Sequence, residues 1–162
     1  MKQKNNQIII KCLLTLVLVI AIGDNLYSQQ TSPTALICNS GWKKIAWTVS
    51  PAMQYTPYMP VASDILKYER ECTRDDFYVF AEDGGYQLLN GINKCGAGEG
   101  DLISSGRWAF LRTDNRIFNM VPGGKGGILQ KQIELATDKM VWVTTQVKNG
   151  VKYTFTETFI PL

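Results

Sequence analysis

The feature that most restricts this chain is a clean period-two alternation in its last dozen residues. Val151, Tyr153, Phe155 and Phe159 fall on one side, and Lys152, Thr154, Thr156 and Thr158 fall on the other. Side chains that change face at every residue describe a β-strand with one wet and one buried surface. Lys148-Asn149-Gly150 precedes this run, and a second apolar-rich run, 140–147, precedes those three residues. Asn-Gly between two such runs is the strongest short-range hairpin signal, because both residues tolerate the positive φ of a tight turn.

The same reading carried backwards yields a series of strands. Expected strands cover 41–49, 77–80, 86–89, 105–111, 117–121, 128–135, 140–147 and 151–160. In the first, Ile45, Trp47 and Val49 alternate with polar or small neighbours; in the fourth, Gly106, Trp108 and Phe110 share a side. Turn chemistry separates most of them: Asp83-Gly84-Gly85, the glycine-rich 91–101, Thr113-Asp114-Asn115, the loop 122–127 and Thr137-Asp138-Lys139. One connection, 50–74, is long. Pro51, Pro57 and Pro60 argue against a central strand there, while Ser63 and Asp64 offer capping oxygens for a helical turn or two over 62–70. The fold class is therefore all-β: an eight-stranded antiparallel up-and-down barrel with a Pro-rich, partly helical connection after the first strand. Closure into a barrel is the cheapest way for a meander to dispose of its exposed edges.

Ahead of this pattern, Lys2, Lys4 and Lys11 form a basic stretch, followed by an apolar run over 13–22 and then by small and polar residues. This layout is that of a secretory signal peptide, and the apolar run falls short of the roughly 20 residues of a membrane span. The expected organisation is a leader over 1–28, a polar lead-in over 29–40 and a barrel domain over 41–162, exported to a periplasmic, cell-envelope or extracellular location and not membrane-spanning after processing. Of the 17 basic and 14 acidic residues, Lys2, Lys4, Lys11 and Asp24 belong to the leader, which leaves 14 and 13 and a net charge of +1. Nucleic-acid capture needs a concentrated basic surface, so that class of partner is excluded.

Outside the leader the cysteines are Cys38, Cys72 and Cys95. In an oxidising compartment a disulfide is expected rather than a metal site, and the chain has no histidine and no C-x-x-C pair to serve zinc. Cys72 and Cys95 are the preferred pair, with Cys38 as the odd one out, a small buried residue rather than a reactive thiol.

Several pieces taken in order are similar to a known family. Gly41-Trp42-Lys43 opens the domain; Cys72-x-x-Asp75-Asp76-x-Tyr78-x-Phe80 and Asp83-Gly84-Gly85-Tyr86 follow, then Cys95 in its loop and Gly106-Arg107-Trp108. Together they resemble the lipocalin-like domain family of small exported bacterial proteins, related in fold to the calycin barrels, over about 41–161. The resemblance implies an eight-stranded or half-open barrel and a bridge between Cys72 and Cys95. It implies no particular activity, and the G-x-W expected near the first strand of a true lipocalin stands instead at Gly106-Arg107-Trp108.

Catalytic equipment is sparse. Without histidine there is no Ser-His-Asp or Cys-His machinery. Asp75 and Asp76 are adjacent in an extended segment, so they point to opposite faces and make a poor acid–base pair. The loops 96–100 and 123–127 do not fit the phosphate-loop pattern, and the acidic residues Glu99 and Asp101 lack calcium-ligand spacing. No catalytic residue, metal ligand or cofactor is expected, and the chain reads as a non-enzyme.

The anomalies are charges within apolar faces. Glu157 shares parity with Phe155 and Phe159, and Lys131 with Leu129, Ile133 and Leu135. Inside a barrel such charges must be paired or reach water, and they would orient the polar end of a ligand. At a rim, or beside a parity-reversing bulge, they would be mere solvated residues. The aromatics Trp47, Phe77, Trp108, Phe110, Trp142, Tyr153 and Phe155 pose a matching choice between a filled barrel and a ligand cavity, since eight strands accommodate either. The candidate ligand-binding set is those seven with Lys131 and Glu157, for a small apolar or amphipathic molecule in the barrel mouth. The alternative is an envelope interaction or structural module with a filled barrel, using the 50–74 connection, where Tyr55, Tyr58 and Met59 suit an interface.

Overall fold

The computed structural model describes residues 32–111, 114–123 and 127–162. The expected leader, 1–28, lies outside the described residues. Among the described residues nine strands form one antiparallel sheet: β1 (Gly41–Met53), β2 (Ala62–Asp64), β3 (Phe77–Phe80), β4 (Gly85–Leu89), β5 (Leu102–Leu111), β6 (Asp114–Pro122), β7 (Leu129–Leu135), β8 (Met140–Lys148) and β9 (Val151–Pro161). From β3 to β9 each strand pairs with the next, β1 pairs with β3, and β9 returns to β1. The sheet is thus a closed eight-stranded antiparallel barrel, with β2 as one extra strand.

Turn chemistry acts where the sequence places it. Lys148 pairs with Val151, so Asn149 and Gly150 alone make the β8–β9 turn, with φ of 53° and 77°. Both positive angles are what a two-residue hairpin needs to match the twist of its strands. At Gly106 the reason for glycine is space: a Cβ there would collide with the Val121 carbonyl and lie 2.7 Å from the Tyr86 ring.

Three expectations are corrected. The lead-in contains a short helix, α1 (Pro33–Cys38), whose Ile37 is fully buried and accepts a hydrogen bond on its carbonyl from Trp42 Nε1 at 2.8 Å. This helix plugs one end of the barrel. The 50–74 connection is partly helical as expected, with a 3-10 turn (Leu66–Tyr68) and α2 (Glu71–Arg74), but it also contains strand: β1 runs through Pro51 to Met53, and Ala62–Asp64 is a strand. Here the edge of β1 is the cause: β3 reaches only Gly41 to Lys43, so β2 pairs further along that side, at Thr48 and Met53, and the Ile65 amide donates to the Trp47 carbonyl at 2.8 Å. Finally, Ile45 is 47% exposed, because it bulges between Lys44, opposite Phe159, and Ala46, opposite Thr158. The extra residue lets Trp42 and Trp47 face the same interior despite their odd separation.

The interior has two parts. Around the α1 end, Trp42, Phe80, Tyr86, Trp108, Phe118, Trp142 and Phe159 pack with Ile37, Met120, Ile133 and Met140. Phe80 is their hub, edge-on to Trp108, Phe118 and Trp142 with centroids 5.7–6.3 Å away. A smaller group, Val49, Met53, Ile65 and Phe155, lies toward the other end with Trp47, Met59 and Tyr153 against it.

Cys72, in α2, is bonded to Cys95 in the β4–β5 loop, 23 residues away, and Cys38 is free. The bridge ties the connection after β1 to the loop that leads into β5. Reduction, or a Cys72→Ser/Cys95→Ser variant, is expected to lower the unfolding free energy by about 3 kcal/mol, the chain-entropy value for a loop of this length. Urea denaturation with and without reductant checks it; an unchanged midpoint would contradict the assignment.

Candidate functional site

The site follows from how the inward face of each strand changes composition along its length. On β8, Met140 and Trp142 are buried in the aromatic floor, and the next inward positions are Thr144 and Gln146. On β7, Ile133 lies in the floor, and Lys131 and Leu129 follow. On β9, Phe159 is fully buried, and Glu157 and Phe155 come next toward the β8–β9 turn. The rings thus fill the half of the barrel near α1 and stop short of the other end.

What remains is a cup of about 380 Å³ lined by Trp47, Tyr55, Ile128, Leu129, Gln130, Lys131, Thr144, Gln146, Phe155 and Glu157. Its volume lies at the low end of the roughly 300–1,000 Å³ of small-molecule sites. Tyr55 reaches over from the β1–β2 connection, edge-on to Trp47 at 4.9 Å and to Phe155 at 5.9 Å. One wall is therefore aromatic.

Charge sits at the bottom. Lys131 Nζ donates to Glu157 Oε1 at 2.7 Å, and the two side chains are only 13% and 17% exposed. The same ammonium lies 4.1 Å from the centre of the Trp142 ring, a cation–π contact in a poorly solvated place. A second pair stands beside Trp47: Lys44 Nζ donates to Glu69 Oε1 at 3.0 Å and lies 4.3 Å from the centre of that ring. Glu69 is positioned by Arg74, whose Nε donates to the Glu69 carbonyl at 3.1 Å and whose guanidinium also donates to the Lys67 carbonyl at 2.8 Å. Glu69 Oε2 and Trp142 Nε1 are buried without a hydrogen-bonding partner among the described residues.

These carboxylates act on neighbouring phenols. Burial pushes the Tyr78 hydroxyl well above its ordinary range, and Glu157, Tyr86 and Glu69 add to the shift. Tyr55 is raised too, by burial first and then by Glu157 and Glu69, so it remains a neutral hydroxyl. Away from the cup, burial raises Asp76 and Cys38.

Of the nine candidate residues, the structure brings Trp47, Lys131, Phe155 and Glu157 together around the cup. Trp108, Phe110 and Trp142 belong to the packed floor, and Tyr153 packs against the smaller core group. Phe77 does not face the interior at all. Its neighbours Tyr78 and Phe80 do, and the Phe77 ring lies beside Gly41 on the outer surface. In the four-residue strand Phe-Tyr-Val-Phe every residue is apolar, so nothing in the sequence marks the inward side. The lining also includes Tyr55, Ile128, Leu129, Gln130, Thr144 and Gln146, which the sequence does not single out as ligand-binding residues. Thr144 and Gln146 follow from Trp142 by the period-two count; Tyr55 depends on how the connection folds back.

Among the described residues no group of three or more metal-ligating side chains is gathered in one place, and no helix is long and apolar enough to cross a membrane. No family model matches the chain, and no curated protein is significantly similar to it.

Two outcomes follow for the charges and the phenols. Lys131→Met leaves the Glu157 carboxylate in the cup without its partner and is expected to cost roughly 3 kcal/mol; Lys131→Met/Glu157→Gln should recover part of that, as thermal denaturation will show. For Tyr78 the native state holds its proton to higher pH than the unfolded chain, which titrates near 10. Its contribution is therefore fully present below pH about 10 and is lost as pH rises beyond it. Tyr78→Phe should flatten that alkaline loss of stability, followed by denaturation at a series of pH values.

Proposed function

We propose that this protein is an exported, non-catalytic, lipocalin-like barrel that binds a small apolar or amphipathic molecule in its open end. The observation that carries the reading is a cup of about 380 Å³ with an aromatic wall of Trp47, Tyr55 and Phe155 and a polar base at Lys131 and Glu157. An apolar body buried against the rings supplies the driving force, and a few convergent polar groups supply orientation. Export is supported by the leader-like 1–28 and by the disulfide, since such bonds persist in oxidising compartments. The order and spacing of the pieces from Gly41-Trp42-Lys43 to Gly106-Arg107-Trp108 support the lipocalin-like resemblance.

A second reading has its own support. Tyr58 is 97% exposed on the Pro-rich connection and Ile92 is 96% exposed on the loop between β4 and β5. Large apolar side chains on two loops at the same end of the barrel suit a protein-binding module of the cell envelope.

Titration with the uncharged dye N-phenylnaphthylamine separates the readings. Binding in the cup should quench Trp47, with Trp47→Ala weakening dye affinity about tenfold and Tyr58→Ser/Ile92→Ser leaving it unchanged. No uptake by the wild type would sink the ligand reading. Recovery from the host envelope of a chain that begins near Gln29 would support export; retention of Met1 in a cytosolic fraction would oppose it.

A further inference from the structure

The bottom of the cup presents a donor and an acceptor that already balance each other in charge. Lys131 Nζ gives one hydrogen bond to Glu157 Oε1 and faces the Trp142 ring. An ammonium carries three donors and no acceptor, so a further N–H remains for a ligand. Glu157 Oε2 takes no part in the ion pair and remains an acceptor. The rest of the polar lining, Tyr55, Gln130, Thr144 and Gln146, is uncharged. Lys44 and Glu69, beside Trp47, are likewise a compensated pair.

Among the described residues that line the cup, an ionic head group would meet no uncompensated counter-charge. A carboxylate that approached Lys131 would face the carboxylate of Glu157, and an ammonium that approached Glu157 would face Lys131. Either would also leave its hydration shell on entering. A hydroxyl or a primary amide both donates and accepts, so it can take the spare donor and acceptor without disturbing the pair.

We infer that the cup selects uncharged amphiphiles, molecules with an apolar body and a single hydroxyl or amide that bridges Lys131 and Glu157, over carboxylates and amines of the same body. The inference rests on the reading of the cup as a ligand site and specifies its ligand class. Selection here comes from repulsion of the wrong head groups as much as from attraction of the right one.

The test is displacement of N-phenylnaphthylamine from the intact, disulfide-bonded protein near neutral pH by octanol, octanamide, octanoate and octylamine. Each affinity is referred to the same compound's partition into uncharged detergent micelles, which removes the intrinsic difference in hydrophobicity. Octanol and octanamide should bind at least about tenfold better than either ion on that scale. Glu157→Gln leaves Lys131 uncompensated and should turn the preference toward octanoate, while Lys131→Met should turn it toward octylamine. The wild-type ranking alone decides the matter if either variant fails to fold. Octanoate or octylamine binding as well as octanol would overturn the selection but leave the cup as a ligand site. Failure of all four to displace a bound dye would overturn the selection as well. Failure of the protein to bind the dye or any of the four would remove the ligand reading itself.

Discussion

Closure of the sheet through the ladder between β1 and β9 is the constraint on which the rest depends. That ladder runs from Trp42 opposite Pro161 to Ser50 opposite Thr154, and it converts a meander with two open edges into a barrel with a shared interior. It accommodates one irregularity, the bulge at Ile45. Without it, Trp42 and Trp47 would lie on opposite faces, and either the floor would lose a buried indole or the cup would lose its aromatic wall. The short pairing of β1 with β3 has a comparable consequence on the opposite edge. It leaves most of β1 to be covered by β2 and Ile65, and that covering segment carries Glu69 into place beside Lys44.

What could be read from the sequence, and what could not, follows the same division. The strands with alternation or strong turn chemistry, β5 to β9, are legible because the periodicity is local and the Asn149-Gly150 turn specifies its own geometry. The closing of the barrel is legible as a requirement of the edges. The bulge at Ile45, the β2 strand and the extension of β1 through Pro51 are not, since each answers a need created by another strand far away in sequence. The α1 helix falls in the same class: its six residues form no amphipathic pattern long enough to read, and burial of Ile37 against Trp42 gives it its place.

The candidate site divides likewise. Lys131 and Glu157 stand out as charges in apolar registers, and parity places them inside as soon as Ile133 and Phe159 are known to be core. Parity cannot tell where along the barrel the rings stop. Trp108, Phe110 and Trp142 share the inward register of a possible ligand wall, yet they fill the floor, because β5, β6 and β8 each contribute large rings near the α1 end. A binding surface and a core are written in the same residue types on the same faces. Only the level along each strand separates them.

That separation explains why the ion pair sits where it does. Two charges inside a barrel are costly, and replacing such a pair with apolar side chains of similar volume often leaves a protein no less stable. Stability therefore gives little reason to keep Lys131 and Glu157, and a continued stack of rings above Trp142 would close the interior more simply. Yet the pair forms the boundary between the packed floor and the cup, with Lys131 laid on the Trp142 ring of the floor. A polar layer at that level halts the apolar packing and keeps Thr144, Gln146 and the spare donor and acceptor facing an open volume. The pair is thus better understood as a feature that shapes and polarises the cup than as one that strengthens the barrel.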